Sequence, residues 1–173
     1  MSDAVASARA QPILAAVQRG AQASGASFDL LLATAQRESS LNASARAPTS
    51  SATGLFQFID STWLSMVQRH GGDHGLGRYA NAIETRDGRP FVSDAALRRE
   101  ILDLRYDPEL SARMAGELTR ENAAFLERRL GRTPTAAELY AAHVMGRAGA
   151  ARLIAAGQEA APGGRTRRLA RQQ

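Results

Sequence analysis

Twice in this chain a capping residue stands directly before a proline, at Asp107-Pro108 and at Thr133-Pro134. Such a pair starts a helix: the side-chain oxygen accepts from an otherwise unpaired first-turn amide, and proline fits where no amide bond is needed. After the first pair Leu110, Met114, Leu118 and Phe125 recur on one stripe, which predicts a helix running to Leu130 and stopped by Gly131. After the second, Leu139, Tyr140, His143 and Val144 predict another, and a last helix covers about residues 148–156 and ends at Gly157. Upstream, a segment over about residues 4–19 is divided by Pro12 and ended by Gly20. Ser27 caps a helix through Leu30 and Leu31 to Glu38, Asp60 or Ser61 caps one carrying Trp63, Leu64 and Val67, and Ser93 caps one through Leu97 and Ile101. Residues 39–58 and 71–92 read as loops, and no internal repeat or strand stands out. Alanine, leucine and arginine dominate while valine and isoleucine are sparse. The expected fold class is all-α.

A length of 173 residues suits one domain with a tail. The sequence divides into an N-terminal helical segment, 1–26, packing on a domain at 27–157, and a basic, disordered tail, 158–173. The absence of cysteine excludes a disulfide framework and a thiolate zinc site. All 22 basic residues are arginine, and the net charge of +5 suggests an anionic partner, either nucleic acid or an acidic wall polymer. Four of those arginines, Arg165, Arg167, Arg168 and Arg171, crowd the last nine residues. The body without them is close to neutral, which argues against a nucleic-acid partner. No run of about 18 apolar residues predicts a membrane span, and no signal peptide is visible at the start.

The long loop at 39–58 is the part that calls for a function. One carboxylic acid, Glu38, ends an apolar helix, followed by Ser39-Ser40-Leu41 and then by Ser51-Ala52-Thr53-Gly54-Leu55-Phe56-Gln57-Phe58. Cleaving a glycosidic bond needs a carboxylic acid that holds its proton for the leaving oxygen, and an apolar cleft favours the protonated form. The apolar helix before Glu38, with Phe56, Phe58 and Trp63 soon after, offers such a setting.

These motifs resemble those of the soluble lytic transglycosylases, the lysozyme-like enzymes that cut peptidoglycan glycan strands. The family's Glu-Ser pair matches Glu38-Ser39, and its Gly-Leu-Met-Gln element matches Gly54-Leu55-Phe56-Gln57. Weaker counterparts are Asp107-Pro108-Glu109-Leu110-Ser111 and Ala141-Ala142-His143-Val144-Met145-Gly146. The resemblance spans about residues 28–155. It implies a lysozyme-like helical domain with a substrate cleft, cleavage between N-acetylmuramic acid and N-acetylglucosamine, and Glu38 as the single catalytic acid and base, leaving 1,6-anhydro ends. No Asp or Glu lies between Glu38 and Asp60, so no second carboxylate stands nearby in sequence. It implies no cofactor. Its setting is the periplasm or cell envelope of a bacterium, with peptidoglycan strands as partner, the protein monomeric, and a flagellar or secretion apparatus as a further associate.

The candidate substrate-binding residues are Ser39, Gln57, Phe56, Phe58, Tyr140 and His143. Each has a structural alternative: Ser39 as the end of its helix, Gln57 as loop structure, Phe56 and Phe58 as core. The family's tyrosine aligns with His143, one helical turn after Tyr140, and the pair serves equally as cleft lining or as helix packing. This departure keeps two rivals open, a hydrolytic muramidase and a non-catalytic glycan-binding scaffold. His70, Asp73 and His74 suggest a metal site at first sight, but Gly71-Gly72 would break the helix between them, and no metal is expected.

Overall fold

The computed structural model describes residues 2–160, with side chains from 10 to 159; the expected tail arginines lie outside the described residues. Among these, eight α-helices carry the fold: α1 Ser2–Ser24, α2 Phe28–Ser39, α3 Asp60–His70, α4 Gly77–Ala82, α5 Ala95–Asp103, α6 Pro108–Leu130, α7 Ala136–Met145 and α8 Arg147–Ala160. One antiparallel hairpin joins β1 Glu84–Arg86 to β2 Arg89–Phe91. The fold is all-α apart from this small hairpin. No described helix is long and apolar enough to cross a membrane. The chain divides into two compact units, residues 1–118 and 119–173.

Local signals decide several boundaries. Asp107 Oδ1 accepts from the Leu110 amide at 3.0 Å and α6 starts at Pro108, running to Leu130 as its apolar stripe predicts. Ser27 caps α2 through the Leu30 amide at 3.3 Å. At Thr133-Pro134 the cap falls two residues later. There Thr135 and Glu138 form a reciprocal capping box, satisfying two amides where one proline would satisfy none. Asp94, not Ser93, caps α5, accepting from Ala96 and Leu97.

Other expectations are corrected by tertiary contacts. α1 runs through both Pro12 and Gly20 and ends at Ser24, where Gly25 with a φ of 76° closes the helix. Gly20 is there for space. A Cβ on it would strike Ala112 of α6, and a Cβ on Gly116 would strike Ser24, so α1 and α6 cross nearly backbone to backbone. Residues 71–92 are also more ordered than a loop. The 3-10 turn Gly71–His74 carries α3 onward, α4 follows, and Asp87-Gly88 turns the hairpin with φ of 51° and 75°. At the far end α8 passes Gly157 and continues to Ala160.

The core of the first unit gathers Val17 of α1, Leu31 and Ala35 of α2, Trp63, Leu64 and Val67 of α3, Ile101 and Leu102 of α5, and Met114 of α6. Trp63 is fully buried, and its indole N–H donates to the Ile101 carbonyl at 2.8 Å, tying α3 to α5. The second unit has a smaller core of Leu126, Ala142, Ala150 and Ala151, with Phe125, Leu130, Leu139 and Ile154 against it.

Candidate active site

Glu38 is the next-to-last residue of α2 and is half-buried. The helix stops there because Ser40 and Leu41 both turn left-handed, with φ of 52° and 62°. The Ser40 amide bonds back to the Ala35 and Gln36 carbonyls, so the last turn is closed and Glu38 leaves the helix at a fixed point. Beside it, the Ser39 hydroxyl reaches the Leu55 carbonyl at 2.7 Å and the Ala35 carbonyl at 3.1 Å. Its single hydrogen favours the shorter contact. Ser39 therefore ties the acid-bearing helix end to the loop sixteen positions on.

That loop is knitted by its own backbone. The Gly54 amide donates to Ala45 at 2.8 Å, Ala47 to Ala52 at 2.9 Å, and Thr53 to Phe58 at 3.1 Å. Gln57 adds its side chain, with Nε2 donating to the Ala45 carbonyl at 3.2 Å and to Gly54 at 2.9 Å. Both amide hydrogens of Gln57 are thus spent within the loop, at a residue whose own φ is 54°. The geometry gives Gln57 a loop-building role through its donors.

Phe56 and Phe58 were candidates to stack on sugar. The structure places them in the core instead, 0% and 3% exposed, with Phe58 edge-on to Trp63 at 5.2 Å between ring centres. Their burial anchors the loop from below, since each buried side chain of this size contributes roughly 1.5–3 kcal/mol. Tyr140 and His143 both lie on α7 in the second unit, one turn apart and half-buried. The structure therefore brings together Glu38, Ser39 and the loop through Gln57 within the first unit.

Two features escaped the sequence reading. Arg105, 3% exposed in the 3-10 turn Leu104–Tyr106, holds the neck of the loop. Its Nη1 donates to the Ser51 carbonyl at 2.8 Å and the Phe58 carbonyl at 2.9 Å, and meets Asp60 at 2.8 Å; its Nε donates to Leu102 at 2.8 Å. Burial pushes this guanidinium below its usual value, and Asp60 pulls the other way. Asp60, expected to cap α3, spends its carboxylate on Arg105, and no side chain caps that helix. Nothing in the sequence marks Arg105 among 22 arginines.

The second is a buried polar cluster. The turn at Gly71–His74 continues α3, so both histidines face α6: His74 Nε2 lies 3.0 Å from Glu117 Oε1, and His70 Nδ1 lies 3.4 Å from Oε2. Arg113 Nη1 sits 3.1 Å from His74 Nδ1. A guanidinium only donates, so Nδ1 accepts and the His74 hydrogen sits on Nε2, pointing at Glu117. Arg113 and Arg19 both pair with Glu109, whose carboxyl burial works to raise and these two hydrogen bonds hold below the usual range. Among the described residues no group of three or more His, Cys, Asp or Glu side chains is arranged to hold a metal ion.

Residues 15–82 match the family model described as the transglycosylase SLT domain. The matched stretch runs from within α1 to the end of α4, and it contains Glu38, Ser39 and the whole Gly54–Gln57 loop. Its fold class, helical and lysozyme-like, is the one seen here. Over this stretch the chain is similar to the transglycosylase SLT domain, consistent with the soluble lytic transglycosylase family.

Proposed function

We propose that this protein is a peptidoglycan lytic transglycosylase that cleaves the β-1,4 bond between N-acetylmuramic acid and N-acetylglucosamine with Glu38 as its single acid and base. The observation that carries this reading is the half-buried Glu38 at a closed helix end, tied through Ser39 to the Gly54–Gln57 loop, inside the stretch that matches the SLT domain. In the first step the Glu38 carboxylic acid gives its proton to the glycosidic oxygen, and the bond from that oxygen to C1 of the muramyl ring breaks. In the second, the Glu38 carboxylate takes the proton of the muramyl 6-hydroxyl as that oxygen bonds to C1. The products are an N-acetylglucosamine 4-hydroxyl and a 1,6-anhydro ring, and Glu38 ends protonated as it began. No water is consumed.

The substrate sets the place of action: the bacterial cell envelope, where wall strands are opened. The test is mass spectrometry of fragments released from purified peptidoglycan by the wild type and by Glu38→Gln. Anhydro ends from the wild type alone are expected, with the variant at least about a hundredfold slower, the scale of a lost general acid. Reducing ends would replace the reading with hydrolysis, and no fragments from either protein would leave a glycan-binding domain.

A further inference from the structure

One guanidinium closes the neck of the loop that meets the acid-bearing helix. Arg105 lies 54 positions from Ser51 and 47 from Phe58, yet a single nitrogen, Nη1, reaches both carbonyls. The loop's two ends are thereby bridged through one nitrogen, each carbonyl a single hydrogen bond from it. Ser51 adds a second closure, its hydroxyl accepting from the Asp60 amide at 3.0 Å. Arg105 is itself held in place: Leu102 and Asp60 fix its head, and the Ser111 hydroxyl donates to its carbonyl at 2.8 Å. That same carbonyl lies where a Cβ on Gly54 would stand, so the loop's central glycine rests directly on the Arg105 backbone. From Gly54 one residue leads to Leu55, whose carbonyl receives the Ser39 hydroxyl.

We infer that Arg105 is a positioning residue for the Glu38 chemistry, setting the loop from Ser51 to Phe58 so that Leu55 holds Ser39 and fixes the helix end on which Glu38 stands. This rests on the glycan-cleaving reading above. Lysine cannot replace it. An ammonium keeps the charge beside Asp60 but is a single point, whereas the planar fork serves Leu102 with one nitrogen and the loop neck with another. A misplacement of about 1 Å at an acid costs on the order of a hundredfold in rate.

The experiment compares the wild type, Arg105→Lys, Ser39→Ala, the Arg105→Lys/Ser39→Ala double variant and a core control, Val67→Ala. Turnover on soluble peptidoglycan glycan strands is measured well below the lowest melting midpoint, alongside hydrogen exchange of the backbone amides. Arg105→Lys is expected to lower kcat about 10- to 100-fold, with KM changed by less than about threefold. The amides of Thr53, Gly54 and Gln57 should exchange faster while those of α3 do not. The double variant should be no slower than Arg105→Lys alone, because both changes cut one path. A kcat within about twofold of wild type, an equal loss in Val67→Ala, or multiplying losses in the double variant would each overturn the inference. If the wild type cleaves nothing, the glycan-cleaving reading fails by itself. Exchange then decides the loop clamp: faster loop amides in Arg105→Lys uphold it, and unchanged ones overturn it.

Discussion

At the scale of single residues, the site is built by close approach. Gly54 combines a φ of 84° with a backbone carbonyl where its Cβ would be. Gly54→Ala should therefore cost at least about 1–3 kcal/mol of unfolding free energy, the range for a strained backbone position. Gly72→Ala is the control for an open site without a positive φ, because nothing lies within 4 Å of its Cβ position, and it should stay within about 0.5 kcal/mol. Urea melts of the two variants decide the point; equal costs would mean that the loop does not rest on Arg105. The place of Glu38 at a helix end, ahead of a glycine-bearing loop, was legible in the sequence because both are local patterns. Arg105 was not, since its partners Ser51 and Phe58 are distant in the chain and carbonyl acceptors carry no residue identity. For Phe56 and Phe58 the sequence left sugar stacking and core packing both open, and only the fold, which buries both rings and sets Phe58 against Trp63 of α3, decides for the core.

Among the elements, caps and stripes read well where the answer lay within one helix. α2 and α6 begin and end where Ser27, Asp107-Pro108 and Gly131 place them. Local signals gave way where another element intervened, as when Asp60 gave its carboxylate to Arg105 or Gly20 served α6 by being small. The hairpin is a different case: Asp87-Gly88 is a strong turn signal, but three-residue, mostly exposed strands offer no alternation to support it. α7 carries a prediction of its own. Glu138 closes the capping box and pairs with Arg132 at 2.7 Å, and the Arg132 hydrogen bond, with that of the Thr135 amide, takes its carboxyl from 4.5 to about 2. A carboxyl depressed in the folded state stabilises above its unfolded value and loses that contribution as pH falls toward the folded one. Exchange protection of α7 amides should hold from neutrality to about pH 4.5 and decline toward pH 2. In Glu138→Gln that acid-dependent decline should be absent; an identical decline in both proteins would refute the capping role.

For the molecule as a whole, the two cores are unequal. The first unit buries Trp63, Phe56 and several leucines, whereas among the described residues of the second Leu126 is the one large side chain in the buried cluster beside three alanines. Leu126→Ala should lower the opening free energy of α7 and α8 amides by about 2–5 kcal/mol, measured by native-state exchange. A change below about 1 kcal/mol would show that the alanines alone carry that core. The crossing of α1 and α6 has a consequence of another kind, for heredity rather than chemistry. The atoms nearest an added Cβ belong to Ala112 and Arg113 at Gly20 and to Ser24 and Ala26 at Gly116, and neither position has room for one added methyl. A single-base change that turns either codon from glycine to alanine alters no charge and adds one carbon. In a mutagenised population such alleles would nonetheless score as loss of the folded protein, and inspection of Glu38 and its loop would offer no reason why.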